Sequence, residues 1–132
     1  MVNTVKKTTP KKTKVKKIVL KGIIYVQSTF NNTIITVTDS GGNVISWATA
    51  GASGFKGARK STPYAAQIAM LAVLDRVKLM GLREVSVIVT GVGPGRESAV
   101  RALGNSGIDV ISIKDKTPIS HNGVRSKKPR RV

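Results

Sequence analysis

The chain has no cysteine among its 132 residues, an absence that removes disulfides, thiolate zinc sites and cysteine nucleophiles together. It is nearly as short of acid: 6 Asp and Glu stand against 23 Lys and Arg, for a formal charge of +17. Those acids, at positions 39, 75, 84, 97, 109 and 115, show neither metal-ligand nor paired-carboxylate spacing. The single histidine, His121, sits in a basic tail away from any plausible nucleophile. A nuclease built on clustered carboxylates lacks its parts, so neither catalytic residues nor a cofactor or metal is expected. Aromatic residues are confined to Tyr25, Phe30, Trp47, Phe55 and Tyr64. No aromatic strand motif of the kind that stacks bases on an open sheet is present. Tyr25, Phe30 and Trp47 therefore read as core or sheet-face packing, and only Phe55, in a glycine-rich loop, as a stacking candidate. No run approaches the roughly eighteen apolar residues of a membrane span. The apolar stretch 18–26 is broken by Lys21 and Gly22, and no secretory signal is visible. The expectation is a soluble, cytoplasmic protein with no membrane partner.

What is abundant is positive charge, and it is unevenly placed. Residues 1–21 carry eight lysines and no acid, and residues 114–132 carry seven cations and only Asp115. The span 22–113 holds eight cations and five acids. A nearly ordinary globular centre is thus flanked by two basic extensions, 1–21 and 114–132, both expected to be disordered until phosphates neutralise them. Charge of this one-sidedness favours a polyanionic partner.

Within the centre the pattern is first β. Gly22–Phe30 and Thr33–Asp39 are rich in Ile, Val, Thr and Tyr and are joined at Asn31-Asn32, residues that tolerate a left-handed hairpin turn. Ser40-Gly41-Gly42-Asn43 forms a second turn into Val44–Ala50, so three strands make an antiparallel meander. Thr62 and Pro63 open a largely buried helix running to Met80, with Gly81 at its end. Val85–Thr90, a helix over Arg96–Leu103 and Ile108–Ile113 complete a βαβ unit. The fold class is α/β, a five-stranded mixed sheet with two helices.

Two glycine-rich stretches invite nucleotide-binding readings. Gly54-Phe55-Lys56-Gly57-Ala58-Arg59-Lys60-Ser61 fits a P-loop except that Arg59 occupies the place of the second glycine. No acid ends Val85–Thr90 to hold magnesium, and the preceding strand belongs to a meander. Gly91, Gly93 and Gly95 approach a dinucleotide fingerprint, but Arg96 stands where the third glycine belongs and Pro94 removes an N–H. That stretch reads as a tight strand-to-helix turn. The Gly51–Ser61 loop keeps another role: its Lys56, Arg59 and Lys60, beside the positive end of a helix, suit phosphate contacts that position a ligand rather than read it. Arg96 at the second helix start can meet a backbone phosphate in the same way. An architectural DNA-binding protein and a P-loop-like nucleotide binder are the alternatives to RNA.

Four passages go further than this. Phe30-Asn31-Asn32-Thr33 with Thr38-Asp39, Gly42-Asn43-Val44-Ile45-Ser46-Trp47, Gly54 through Gln67, and the tail Asp115–Arg131 together resemble the bacterial form of the eleventh small-subunit ribosomal protein, a universal family. In the tail, Ser120 and Val124 replace a proline and a small or cysteine residue common in bacterial relatives. The resemblance implies a structural protein of the small-subunit platform, bound to small-subunit ribosomal RNA and neighbouring ribosomal proteins, near messenger RNA and the Shine–Dalgarno helix. No small-molecule substrate is implied. The expected RNA contacts are Asn31, Lys56, Arg59, Lys60, Arg96, His121, Asn122, Arg125, Lys127, Lys128, Arg130 and Arg131. Asn122-Gly123 is in addition a step at which succinimide closure and isoaspartate formation meet little steric hindrance.

Overall fold

The computed structural model describes residues 18–131; the expectation of disorder lies outside them for residues 1–17. By contrast, Val19 is buried in the core, Lys21 begins the first strand and Lys114 and Asp115 end the last, because backbone pairing continues past both expected boundaries. Five strands form one sheet in the order β3-β2-β1-β4-β5. They are β1 (Lys21–Ser28), β2 (Thr33–Asp39), β3 (Val44–Thr49), β4 (Glu84–Gly91) and β5 (Asp109–Asp115). β1 pairs antiparallel with β2 and β2 with β3, as the meander requires, whereas β4 runs parallel to both β1 and β5. The sheet is therefore mixed, with β1 at its centre. Helices α1 (Pro63–Lys78) and α2 (Arg96–Gly104) pack together on one face.

Period-2 burial explains that arrangement. Ile24 and Val26, Ile35 and Val37, and Val85, Val87 and Val89 all point to the helix face and are buried. α1 meets them with Ala65, Ala66, Ala69, Met70, Val73, Leu74 and Val77, the alanines allowing close approach to the sheet. Thr62 caps α1 by accepting a hydrogen bond from the Ala65 N–H at 3.3 Å, with Pro63 in the first turn. Among the described residues the other face of the sheet carries no helix. Tyr25 pairs with Thr36 and Thr36 with Trp47, which puts both aromatics in one row across that open face, 37% and 56% exposed. They are sheet-face residues and not core, and Phe30, 71% exposed, belongs to the β1–β2 turn.

That turn is built differently from the two-residue Asn-Asn hairpin expected. Ser28 pairs with Thr33, leaving four turn residues, and the Thr29 hydroxyl accepts from the N–H groups of Asn31 and Asn32. Neither asparagine adopts positive φ. A side-chain hydroxyl supplies the local hydrogen bonds that a left-handed backbone would otherwise have to arrange. The β2–β3 turn is held in a comparable way: buried Asp39 accepts from the N–H groups of Gly41 and Asn43, both at 2.9 Å, with Gly42 at φ +90°.

Candidate nucleic-acid interface

Chain direction decides where the connections fall. β1, β4 and β5 all end on the same side of the sheet, where β2 begins and β3 ends, and both helices start there. That end consequently collects the 29–32 turn, the 50–62 loop, the 92–95 loop and the departure point of the tail at Asp115. In open α/β sheets ligands gather at the carboxyl ends of parallel strands. The positive ends of α1 and α2 also point there.

Charge follows the same division. Asp39, Asp75, Glu84 and Asp109 lie toward the opposite end, balanced by Lys21, Arg76, Lys78 and Arg83. The loop end carries Lys56, Arg59, Lys60, Arg96, Lys114 and Lys116, and sends out a tail with Arg125, Lys127, Lys128, Arg130 and Arg131. Its acid Asp115 is paired with Arg96 at 2.7 Å, and Glu97 lies 3.7 Å from Arg101 within α2. Both acids of this end thus have an arginine beside them, and the cations outnumber them.

Among the expected contacts, Asn31, Lys56 and Arg59 are exposed and Lys60 is half-buried. The loop around them is in part closed on itself. Ala52 N–H donates to Thr49 Oγ1, those of Ser53 and Phe55 to the Ala50 carbonyl, and a short 3₁₀ turn over Gly57–Ser61 closes the loop onto Thr62. Those N–H groups are thus spent internally, and beside them the loop offers the side-chain charge of Lys56, Arg59 and Lys60. Phe55 packs edge-on against Tyr64, ring centroids 5.8 Å apart and planes at 80°, so it props the loop rather than standing free for a base.

The 92–95 loop is tight, as expected, and the reason is steric. A Cβ at Gly93 would collide with Thr29 O and Ser28 Oγ, and one at Gly95 with Thr33 Oγ1 and Ala66 Cβ. These glycines let the loop lie on the β1–β2 turn; no space for a pyrophosphate remains between them. Beneath them the Ser28 and Thr33 hydroxyls are fully buried with no hydrogen-bond partner among the described residues.

Arg96 is not a free cation. One guanidinium nitrogen donates to the Gly91 carbonyl at 2.6 Å and another to Asp115 Oδ2 at 2.7 Å. Asp115 Oδ1 accepts from both the N–H and the hydroxyl of Thr117, and Thr117 Oγ1 accepts from Gly91 N–H. The Thr117 hydroxyl, the Arg96 guanidinium and the Thr117 N–H hold the Asp115 carboxyl well below the usual carboxylate range. Sequence reasoning missed this cluster; the signal was Asp115-Lys116-Thr117, an acid two residues before a hydroxyl at a strand end. The remaining expected contacts, His121, Asn122, Arg125, Lys127, Lys128, Arg130 and Arg131, are exposed on a tail without helix or strand, where Asn122 adopts φ +54°.

Comparison with known proteins bears on all of this. The family model described as ribosomal protein S11 matches residues 22–131. Small ribosomal subunit protein uS11 of Borreliella burgdorferi (strain ZS7) is 54% identical over 127 residues, 96% of this chain and 98% of that protein. The protein of the same name from Teredinibacter turnerae (strain ATCC 39867 / T7901) is 57% identical over 126 residues, 96% of each chain. With the match spanning the sheet, both helices and the tail, the chain belongs to the ribosomal protein S11 family.

Proposed function

We propose that this chain is a structural constituent of the small ribosomal subunit in the cytoplasm, bound to small-subunit ribosomal RNA through the loop end of its sheet and its C-terminal tail. The family is one of ribosomal structural proteins and not an enzyme class. The observation that carries the RNA reading is the separation of charge along the strands. Lys56, Arg59, Lys60 and the tail cations gather at the end where four connections meet, while four of the six acids sit at the other. Lys56, Arg59, Lys60 and the tail cations contact phosphates and set the protein's orientation. Asn31 and Asn122, with His121, supply hydrogen bonds to sugar or base edges.

In this reading the globular unit spans 22–113, the extensions 1–21 and 114–132 lace it into folded RNA, and the protein sits on the subunit platform beside other ribosomal proteins, near the messenger RNA path. Subunit reconstitution tests it. Purified chain added to subunits lacking this protein should co-sediment with the particle in a sucrose gradient and protect platform RNA from hydroxyl radicals. Failure to enter the particle, or equal affinity for duplex DNA of the same length, refutes the assignment.

A further inference from the structure

Asp115 poses a puzzle that the RNA reading does not resolve. It is the only acid among residues 114–132, beside seven cations, at the end of the molecule expected to face phosphate. A carboxylate there repels the ligand unless it has other work. Its geometry supplies that work. Both oxygens are engaged, Oδ2 by Arg96 and Oδ1 by the N–H and hydroxyl of Thr117. Arg96 and Thr117 then reach back to the carbonyl and N–H of Gly91 respectively, and Lys116 N–H donates to the Val89 carbonyl at 3.0 Å. The bonds close a ring joining the end of β4, the first residue of α2 and the chain where it leaves β5. Pro118 follows at once, with fixed φ and no N–H. No hydrogen bond ties residues 118–131 to the rest of the described chain.

We propose that Asp115, Arg96 and Thr117 form a positioning latch that fixes where and in which direction the cationic tail departs, so that Arg96 serves the tail's placement and does not contact phosphate. The proposal rests on the RNA-binding reading above. Its advantage is preorganisation: a tail whose root is already fixed loses less conformational freedom on binding. Each bond, formed near solvent, contributes little alone, but a closed ring shares one ordering cost among several bonds. For phosphate to take Arg96, it would have to displace a paired carboxylate from a side chain only 29% exposed.

Asp115→Asn separates this from the simpler view of Arg96, because the two give opposite signs. If Arg96 were a phosphate contact restrained by Asp115, the substitution would free a cation and remove an acid. Binding would tighten, and the slope of log K against log salt would steepen by roughly 0.7–0.9. A latch gives the reverse. The asparagine amide turns an N–H toward one set of donors, the ring opens, and binding weakens by roughly tenfold with the slope unchanged. The measurement is titration of the full chain against full-length small-subunit ribosomal RNA at several KCl concentrations. Thr117→Val, which changes no charge, should weaken binding in the same direction. In the free protein, ¹⁵N relaxation of Lys116 and Thr117 should fall from an order parameter of about 0.85 to below about 0.6 in Asp115→Asn, at an unchanged melting temperature. Tighter or equal RNA binding by Asp115→Asn, or unaltered relaxation at those two amides, overturns the latch. Absence of RNA binding by the unsubstituted chain instead refutes the RNA reading, and relaxation in the free protein still decides the latch.

Discussion

Truncation after Thr117 gives a quantitative test of how the tail works. It removes Arg125, Lys127, Lys128, Arg130 and Arg131 while leaving Asp115, Lys116 and Thr117 in place. Residues 118–131 are all exposed and unbonded to the body, so the truncated protein should unfold at the same urea concentration as the full chain. If all five cations neutralise phosphates, the slope of log K against log salt should shrink by about 3.5–4.5, taking roughly 0.7–0.9 per contact. Between 50 and 200 mM salt, a fourfold change, the affinity advantage of the full chain should therefore fall by a factor of about 100–500. Anisotropy titrations with labelled small-subunit RNA over that range read the slope directly. An unchanged slope would mean that the tail cations do not meet phosphate, and the division into a body and an RNA-bound tail would be lost with it.

Further expectations concern the loops and the turn beneath them. Replacing Lys56, Arg59 and Lys60 together by Ala should leave the melting temperature unchanged, reduce the salt slope by about 2–3, and lower incorporation into subunits in sucrose gradients. Gly93→Ala should destabilise by about 1–3 kcal/mol in urea unfolding, because its Cβ meets the Thr29 carbonyl, a backbone atom that cannot rotate away. Thr33→Val removes a buried hydroxyl that has no partner among the described residues and should stabilise the protein by about 1 kcal/mol; a loss of stability would show that the hydroxyl is satisfied by bound water. Because Thr117 and Arg96 hold the Asp115 carboxyl well below its ordinary value of 3.8, its contribution is complete above that value and is lost only as pH falls further. The Thr117 amide resonance should accordingly stay fixed from pH 8 to 4, and movement within that range would contradict the latch geometry.

The fold could be read from the sequence wherever one strong pattern acted alone. Runs rich in Ile, Val and Thr between turn residues placed β1, β2 and β4, Thr62-Pro63 marked the start of α1, and Gly81, at φ +81°, lies just past its end. The details that escaped were those in which two plausible mechanisms compete. Asn31-Asn32 suggested a left-handed turn, but Thr29 offered its hydroxyl to the same N–H groups and won. Trp47 and Tyr25 read as core or sheet-face packing, and the choice between the two follows from pairing register and from the hand of the parallel crossovers that fixes which face the helices cover; neither is a local property. Arg96 shows the limit for sites. As a lone cation at a helix start it suggested phosphate, and only the parallel pairing of β4 with β5 brings Asp115 within reach, nineteen residues away.

The same topology gives the charge separation its physical meaning. Because the strands that border the helices run toward one end, side chains near strand starts and strand ends fall on opposite poles, and a sequence can polarise the molecule by where along each element it places its acids. Here Glu84 and Asp109 begin their strands, Asp39 ends the one strand that returns through the centre's flank, and Asp75 lies in the last turns of α1. All four are remote from the Lys56–Lys60 loop. A body polarised in this way is turned by the field of a polyanion before contact, and the fraction of encounters that arrive loop-end first rises. Moving one acid across tests this: Ala52→Asp, at an exposed position of the 50–62 loop, should slow association with RNA more than Ser40→Asp, exposed at the other pole, although both change net charge equally. Equal slowing in stopped-flow association at low salt would show that net charge alone, and not its placement along the strands, governs the encounter.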